Sequence, residues 1–203
     1  MNKSIFATLA LALASPPALA QVADPAAGTV QALNSGLLSI MRAGAGAGQA
    51  GRVRAIAPVV DRTFDLGLMT RLAVGPSWTT IAPADQTALV AAFRALTVAQ
   101  YAKNFDSYGG ESFTIVPQVE TRGGDKLVRT MLVVPKGSSE ALNYRLRQSG
   151  GQWKIIDVYY RNAISQLATR RSEFARPLAT GGARSLIAHL NQLAARPSDS
   201  GVR

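Results

Sequence analysis

NYRLRQSGGQWKIIDVYYRNAISQLATRRSEF, residues 143–174, reads as a strand, a glycine turn, a second strand and the start of a helix. Tyr144 and Leu146 alternate with Arg145 and Arg147, the period of two expected of a sheet with one buried face. Gly150-Gly151 supplies the positive backbone angles of a two-residue hairpin, and residues 153–160 lead back as the returning strand. From Ile164 the spacing becomes helical: Ile164, Leu167, Ala168 and Phe174 are apolar, with Arg170, Arg171 and Glu173 between them.

The amino-terminal end has a different logic. Lys3 precedes an apolar run over residues 5–14, followed by Ser15-Pro16-Pro17 and the small-x-small triplet Ala18-Leu19-Ala20. That is the pattern of a cleaved secretory signal over residues 1–20, with the mature chain beginning near Gln21. The run is too short to span a bilayer, which takes about 20 apolar residues. A bacterial periplasm is the expected destination. Residues 21–195 are expected to form one domain, and residues 196–203 a disordered tail.

The chain has no cysteine, which excludes disulfide staples and lipoprotein anchoring. Its formal charge is +10, but the basic residues are dispersed, lack the motifs of nucleic-acid modules and belong to an exported chain. Nucleic acid is therefore rejected as a partner. Anionic headgroups or an acidic protein surface suit such a charge better.

Upstream of the hairpin, Val30, Leu33, Leu37, Leu38 and Met41 predict a helix over residues 25–41, and residues 44–48 a glycine-rich linker. The linker has no Lys-Ser/Thr ending, so it is not a phosphate loop. A short helix over residues 51–60 follows, then an unusually apolar one over residues 64–74 closed by Gly75-Pro76. Pro83 opens a long helix that Tyr108-Gly109-Gly110 closes. Residues 112–120 and 126–135, rich in Val, Ile, Thr and Phe, predict two strands that with the hairpin make a four-stranded antiparallel meander. A last amphipathic helix follows Pro177, entered through Gly181-Gly182. Helices first, strands second and helices last predict an α+β fold, a curved antiparallel sheet of four or more strands packed against several helices.

Catalytic and metal-binding constellations are scarce. The single histidine, His189, has no serine in a nucleophile-elbow context, and no paired His or Cys or clustered carboxylates offer a metal site. Asp157 stands out because it interrupts the apolar strand between Ile156 and Val158. A tight hairpin would set it opposite Tyr144. In a closed pocket it is a candidate general base for a small isomerase or hydrolase. The preferred reading is structural, with Asp157 paired to a cation (Arg71 and Arg161 are candidates) or to backbone donors at a helix start.

The larger signal is apolar. Phe64, Leu68, Met69, Leu72, Trp78, Phe93, Leu96, Tyr101, Phe105, Tyr144, Leu146, Trp153, Ile155, Tyr159 and Phe174 come from several helices and one sheet. They either fill a core or wall an elongated cavity between sheet and helices, and composition does not decide which.

An ordered set of residues then resembles one family. Phe64-Asp65-Leu66, Met69-Thr70-Arg71, Gly75-x-x-Trp78, Phe93-Arg94-x-Leu96, Tyr101, Tyr144-Arg145-Leu146, Gly151-x-Trp153-Lys154-Ile155-x-Asp157-Val158, Ser165-x-Leu167 and Arg171-x-x-Phe174 are similar to the MlaC or toluene-tolerance auxiliary family. Residues 164–174 resemble most its hopanoid-biosynthesis-associated branch. After the aspartate strand, Tyr160-Arg161-Asn162-Ala163-Ile164 replaces the small residue and glycine usual before the serine, while Ser165 matches. The resemblance implies a periplasmic lipid carrier without catalytic residues or cofactor. It would hold the acyl chains of a phospholipid, or a hopanoid, inside the domain. Its partners would be inner-membrane and outer-membrane transport components, with transient contact at the membrane surface. A transporter adaptor with no lipid cavity is a third possibility.

Overall fold

The computed structural model describes residues 24–196. The expected signal sequence and residues 197–203 of the expected tail lie outside them.

Asp24 starts the first helix, α1 (Pro25–Ala43), by accepting the Ala26 N–H at 2.9 Å, with Pro25 in the first turn where its missing N–H costs nothing. Its stripe of Ala26, Val30, Leu33, Leu37 and Ile40 is buried. The glycine-rich piece is a 3₁₀ turn, Gly44–Ala47, leading into α2 (Gly48–Thr63). Arg52 anchors that turn: its guanidinium, on a residue 5% exposed, donates to the carbonyls of Gly44 and Ala102. Helices α1 and α2 approach so closely that a Cβ on Gly36 would stand 2.8 Å from a Val59 methyl, so any larger residue there would force Val59 to move.

The chain then enters α3 (Leu66–Val74), two residues later than the sequence suggests. Phe64 is drawn into a parallel bridge with Ile155, and Asp65 caps the helix by accepting the Leu68 N–H. After a 3₁₀ segment at Gly75–Thr80 comes α4 (Pro83–Asn104).

The sheet has seven strands: β1 (Ser112–Ile115), β2 (Glu120–Arg122), β3 (Asp125–Val128), β4 (Thr130–Val133), β5 (Glu140–Ser149), β6 (Gln152–Tyr160) and β7 (Ile164–Ser165). All are paired antiparallel. Each of the first two expected strands is split in two. β3 and β4 continue each other along one edge of β5, and β1 and β2 flank them, so the meander order holds. At the β3–β4 break the Asn143 side chain accepts the Thr130 N–H, and the Thr130 hydroxyl donates to the Leu142 carbonyl. The hairpin closes at Gly150 and Gly151, whose φ values of 56° and 78° suit the two-residue turn.

The register of that hairpin differs from the tight pairing. A bulge at Ile156 sets Leu146 opposite Ile155 but Arg145 opposite Asp157, and Tyr144 therefore faces Val158 instead of Asp157. One inserted residue flips every later side chain of β6 to the other face.

Ile164 pairs with Tyr160 in β7 and does not start the helix. Ser165 caps α5 (Gln166–Ala194), which runs through Pro177 and is interrupted at Gly181 and Gly182, where the backbone leaves helical geometry and the expected last helix begins. The fold is α+β, with helices α1 to α5 packed on one face of the sheet.

On the opposite face, Asp125 lies between two arginines. Arg147 donates to both its oxygens, at 2.6 and 2.9 Å, and Arg145 to one, at 2.6 Å. These bonds, those of Arg147 foremost, hold its carboxyl below the usual carboxylate range. A depressed folded-state value means stability that is present above the ordinary carboxylate range and is lost as pH falls through the folded value. Asp125→Asn should therefore lower stability at neutral pH and flatten its fall on acidification, measured as urea midpoints between neutrality and acid.

Candidate functional site

Between α4 and the meander lies a cavity of about 640 Å³, within the size range of small-molecule sites. α4 supplies one wall through Phe93, Thr97, Gln100, Tyr101 and Asn104, the three-to-four spacing of a single helical face. β5 supplies the other wall with Glu140, Leu142 and Tyr144, alternate residues of one sheet face, continued by Val158 and Tyr160 of β6, by Leu132 of β4 and by Val134 just past its end. Met41 of α1 and Met69 of α3 line it from the helical side, and Gln166 and Arg170 from the first turns of α5.

A chain of rings follows the lining. Phe64 and Tyr101 lie 5.7 Å apart, Tyr101 and Phe105 stack at 5.9 Å, and Phe105 meets Phe113 of β1 at 6.4 Å. Tyr144 is 1% exposed, and burial pushes both its phenol and that of Tyr101 above the ordinary value. Both hydroxyls therefore stay neutral at physiological pH. Polar side chains gather along one stretch: Arg170, which donates to Gln100, then Asn104, Ser107 and Glu111.

Of the residues read from the sequence as pocket wall, Phe64, Met69, Phe93, Tyr101, Phe105 and Tyr144 line this cavity. Leu96, Leu146 and Ile155 are instead buried in the core, and Phe174 stands behind the wall, edge-on to Phe93 at 5.9 Å. Leu68 and Trp78 are partly buried against the core, and Leu72 lies on α3, where its carbonyl accepts from Arg171. Tyr159 lies on the other side of the sheet, with Asn143 and Asn162 around a separate depression. The bulge is the cause, because it turns Val158 and Tyr160 inward.

Leu142 and Glu140 follow from Tyr144 by alternation, and Gln100 and Asn104 from Phe93 and Tyr101 by helical spacing. An inventory of apolar residues passes over the polar ones.

Asp157 is 3% exposed and acts on helix α5. Its Oδ2 accepts the Ser165 hydroxyl at 2.6 Å, and its Oδ1 accepts the N–H of Leu167 at 2.9 Å and of Val158 at 2.8 Å. The Ser165 oxygen in turn accepts the Ala168 N–H, so two side chains in series satisfy the first turn of the helix. Neither arginine considered as a partner is used: Arg71 is exposed on α3, and Arg161 pairs with Glu140. Asp157 is not among the residues around the cavity.

Among the described residues no group of His, Cys, Asp or Glu could hold a metal ion, and no helix is long and apolar enough to cross a membrane.

Comparison with known proteins adds to this geometry. No curated protein matches the chain. A solved structure from Ralstonia solanacearum, a phospholipid-binding protein in complex with a phospholipid, superposes with a TM-score of 0.71 at 23% identity, covering 85% of this chain and 98% of that one. At that identity the likeness speaks for the fold. A family model, that of the MlaC protein, matches residues 31–192, from the second turn of α1 to the last turn of α5. Since that match takes in every strand of the sheet and all the walls of the cavity, this chain belongs to the MlaC family.

Proposed function

We propose that this protein is a periplasmic carrier that holds a phospholipid by its acyl chains in the cavity between α4 and the meander. The observation that carries the reading is the cavity itself, apolar along its rings and methionines and polar along one stretch. Membership of the MlaC family and the phospholipid-binding neighbour support it. The physical need is plain: at about 0.8 kcal/mol per methylene, exposing a chain of about fifteen methylenes to water costs on the order of 12 kcal/mol. A carrier removes that cost across an aqueous gap.

Phospholipid is preferred to hopanoid because Arg170, Gln100, Asn104 and Glu111 face the cavity. A polycyclic hydrocarbon would desolvate those groups without partners, whereas a headgroup supplies them. Inner-membrane and outer-membrane transport components are the proposed partners, with brief contact at each membrane surface. The role is binding and transfer, with no chemical step. Incubating delipidated protein with phospholipid vesicles, separating the two and measuring phosphorus on the protein tests the reading. About one phospholipid per chain is expected, and none would overturn it.

A further inference from the structure

The polar stretch of the lining is uneven in charge. Arg170 has a side chain only 15% exposed, and it donates through one terminal nitrogen to Gln100 and through the other to Glu173. A guanidinium has five N–H donors, so it keeps donors for a further acceptor in the cavity it lines. Asn104 follows Gln100 one turn later, about 6 Å along α4, and Ser107 and Glu111 continue the lining past the end of the helix.

The two acids of the lining differ. Glu140 is held by Arg161 through two hydrogen bonds, at 3.0 and 3.1 Å, so its charge is already met. Glu111 accepts the Gly109 N–H at 2.5 Å and forms no ion pair among the described residues. The strip therefore runs from an arginine that is paired with Glu173 but retains N–H donors to a carboxylate that forms no ion pair among the described residues.

We propose that this strip reads the headgroup of a zwitterionic glycerophospholipid, its phosphate on Arg170 and its ammonium on Glu111, with Gln100, Asn104 and Ser107 between them. The inference rests on the phospholipid-carrier reading. Arginine suits the phosphate because its planar fork matches two phosphate oxygens. An anionic headgroup ending in hydroxyls places the same phosphate but leaves Glu111 without a countercharge beside added negative charge, and so is selected against.

The test loads delipidated protein from vesicles containing equal amounts of phosphatidylethanolamine and phosphatidylglycerol with identical acyl chains. Bound lipid is read by mass spectrometry, and each variant's fold is checked by thermal melting. Wild type should enrich the ethanolamine lipid roughly threefold or more. Glu111→Gln should lose the enrichment and take up the two lipids in proportion, and Arg170→Gln should load less of both. Proportional uptake by wild type, or enrichment that survives Glu111→Gln, overturns the headgroup assignment and leaves carriage standing. Uptake of neither lipid by wild type overturns carriage and the assignment together.

Discussion

Leu142→Trp should abolish phospholipid loading while leaving the protein folded. Leu142 faces the cavity from β5 and packs against the core at its edge, so an indole there enters empty space instead of a filled interior. A buried position surrounded by atoms would be overpacked by the same change at a cost of about 1–3 kcal/mol. Here the added ring finds apolar partners along the cavity wall, and the thermal midpoint should hold or rise. Ligand capacity should fall, because the acyl chain and the indole need the same volume. Loading from vesicles is expected to drop roughly tenfold or more. A variant that loads like wild type would place the lipid elsewhere on the molecule.

Asp157→Ala is the second large effect, and it is one of stability. The carboxylate accepts three hydrogen bonds in a site almost without water, and the Leu167 and Ser165 donors belong to the start of α5. Removing it leaves those donors unmet and loosens a helix packed against both α3 and α4. The loss should be about 3 kcal/mol, combining a helix cap with buried groups left unpaired. Asp157→Asn keeps an acceptor oxygen and should lose less, about 1–2 kcal/mol. Urea unfolding measures both as shifts of midpoint at constant slope. A catalytic role predicts a different result, a protein of unchanged stability that loses turnover in Asp157→Asn.

The hairpin shows what the chain discloses and what it hides. Alternation in Tyr144-Arg145-Leu146-Arg147 and the Gly150-Gly151 pair mark β5, its turn and its inward face, because each depends only on neighbours in sequence. The bulge does not show. Ile155 and Ile156 are both buried, so the run from Ile155 to Tyr160 carries no period from which a phase could be taken. That one hidden residue moved Tyr159 out of the pocket and brought Val158 and Tyr160 in.

The helices behaved similarly. Phe93 and Tyr101 were legible as one inward face of α4, but whether Leu96 or Phe174 touches a cavity or another side chain depends on the spacing between elements. Polar lining residues such as Gln100 and Glu111 look in sequence like ordinary surface residues. Only the approach of α5, which brings Arg170 to Gln100, gives them a common place. The Asp157 site was half visible: a helix start as partner was among the alternatives, while the cations Arg71 and Arg161 proved to be elsewhere.

The measurement closest to the central claim is native mass spectrometry of the protein isolated from its host without delipidation. Carriage predicts a species heavier than the polypeptide by the mass of a phospholipid, released by organic extraction and missing from Leu142→Trp prepared the same way. Protein recovered repeatedly at the mass of the bare chain, from cells whose membranes contain ample phospholipid, would contradict it.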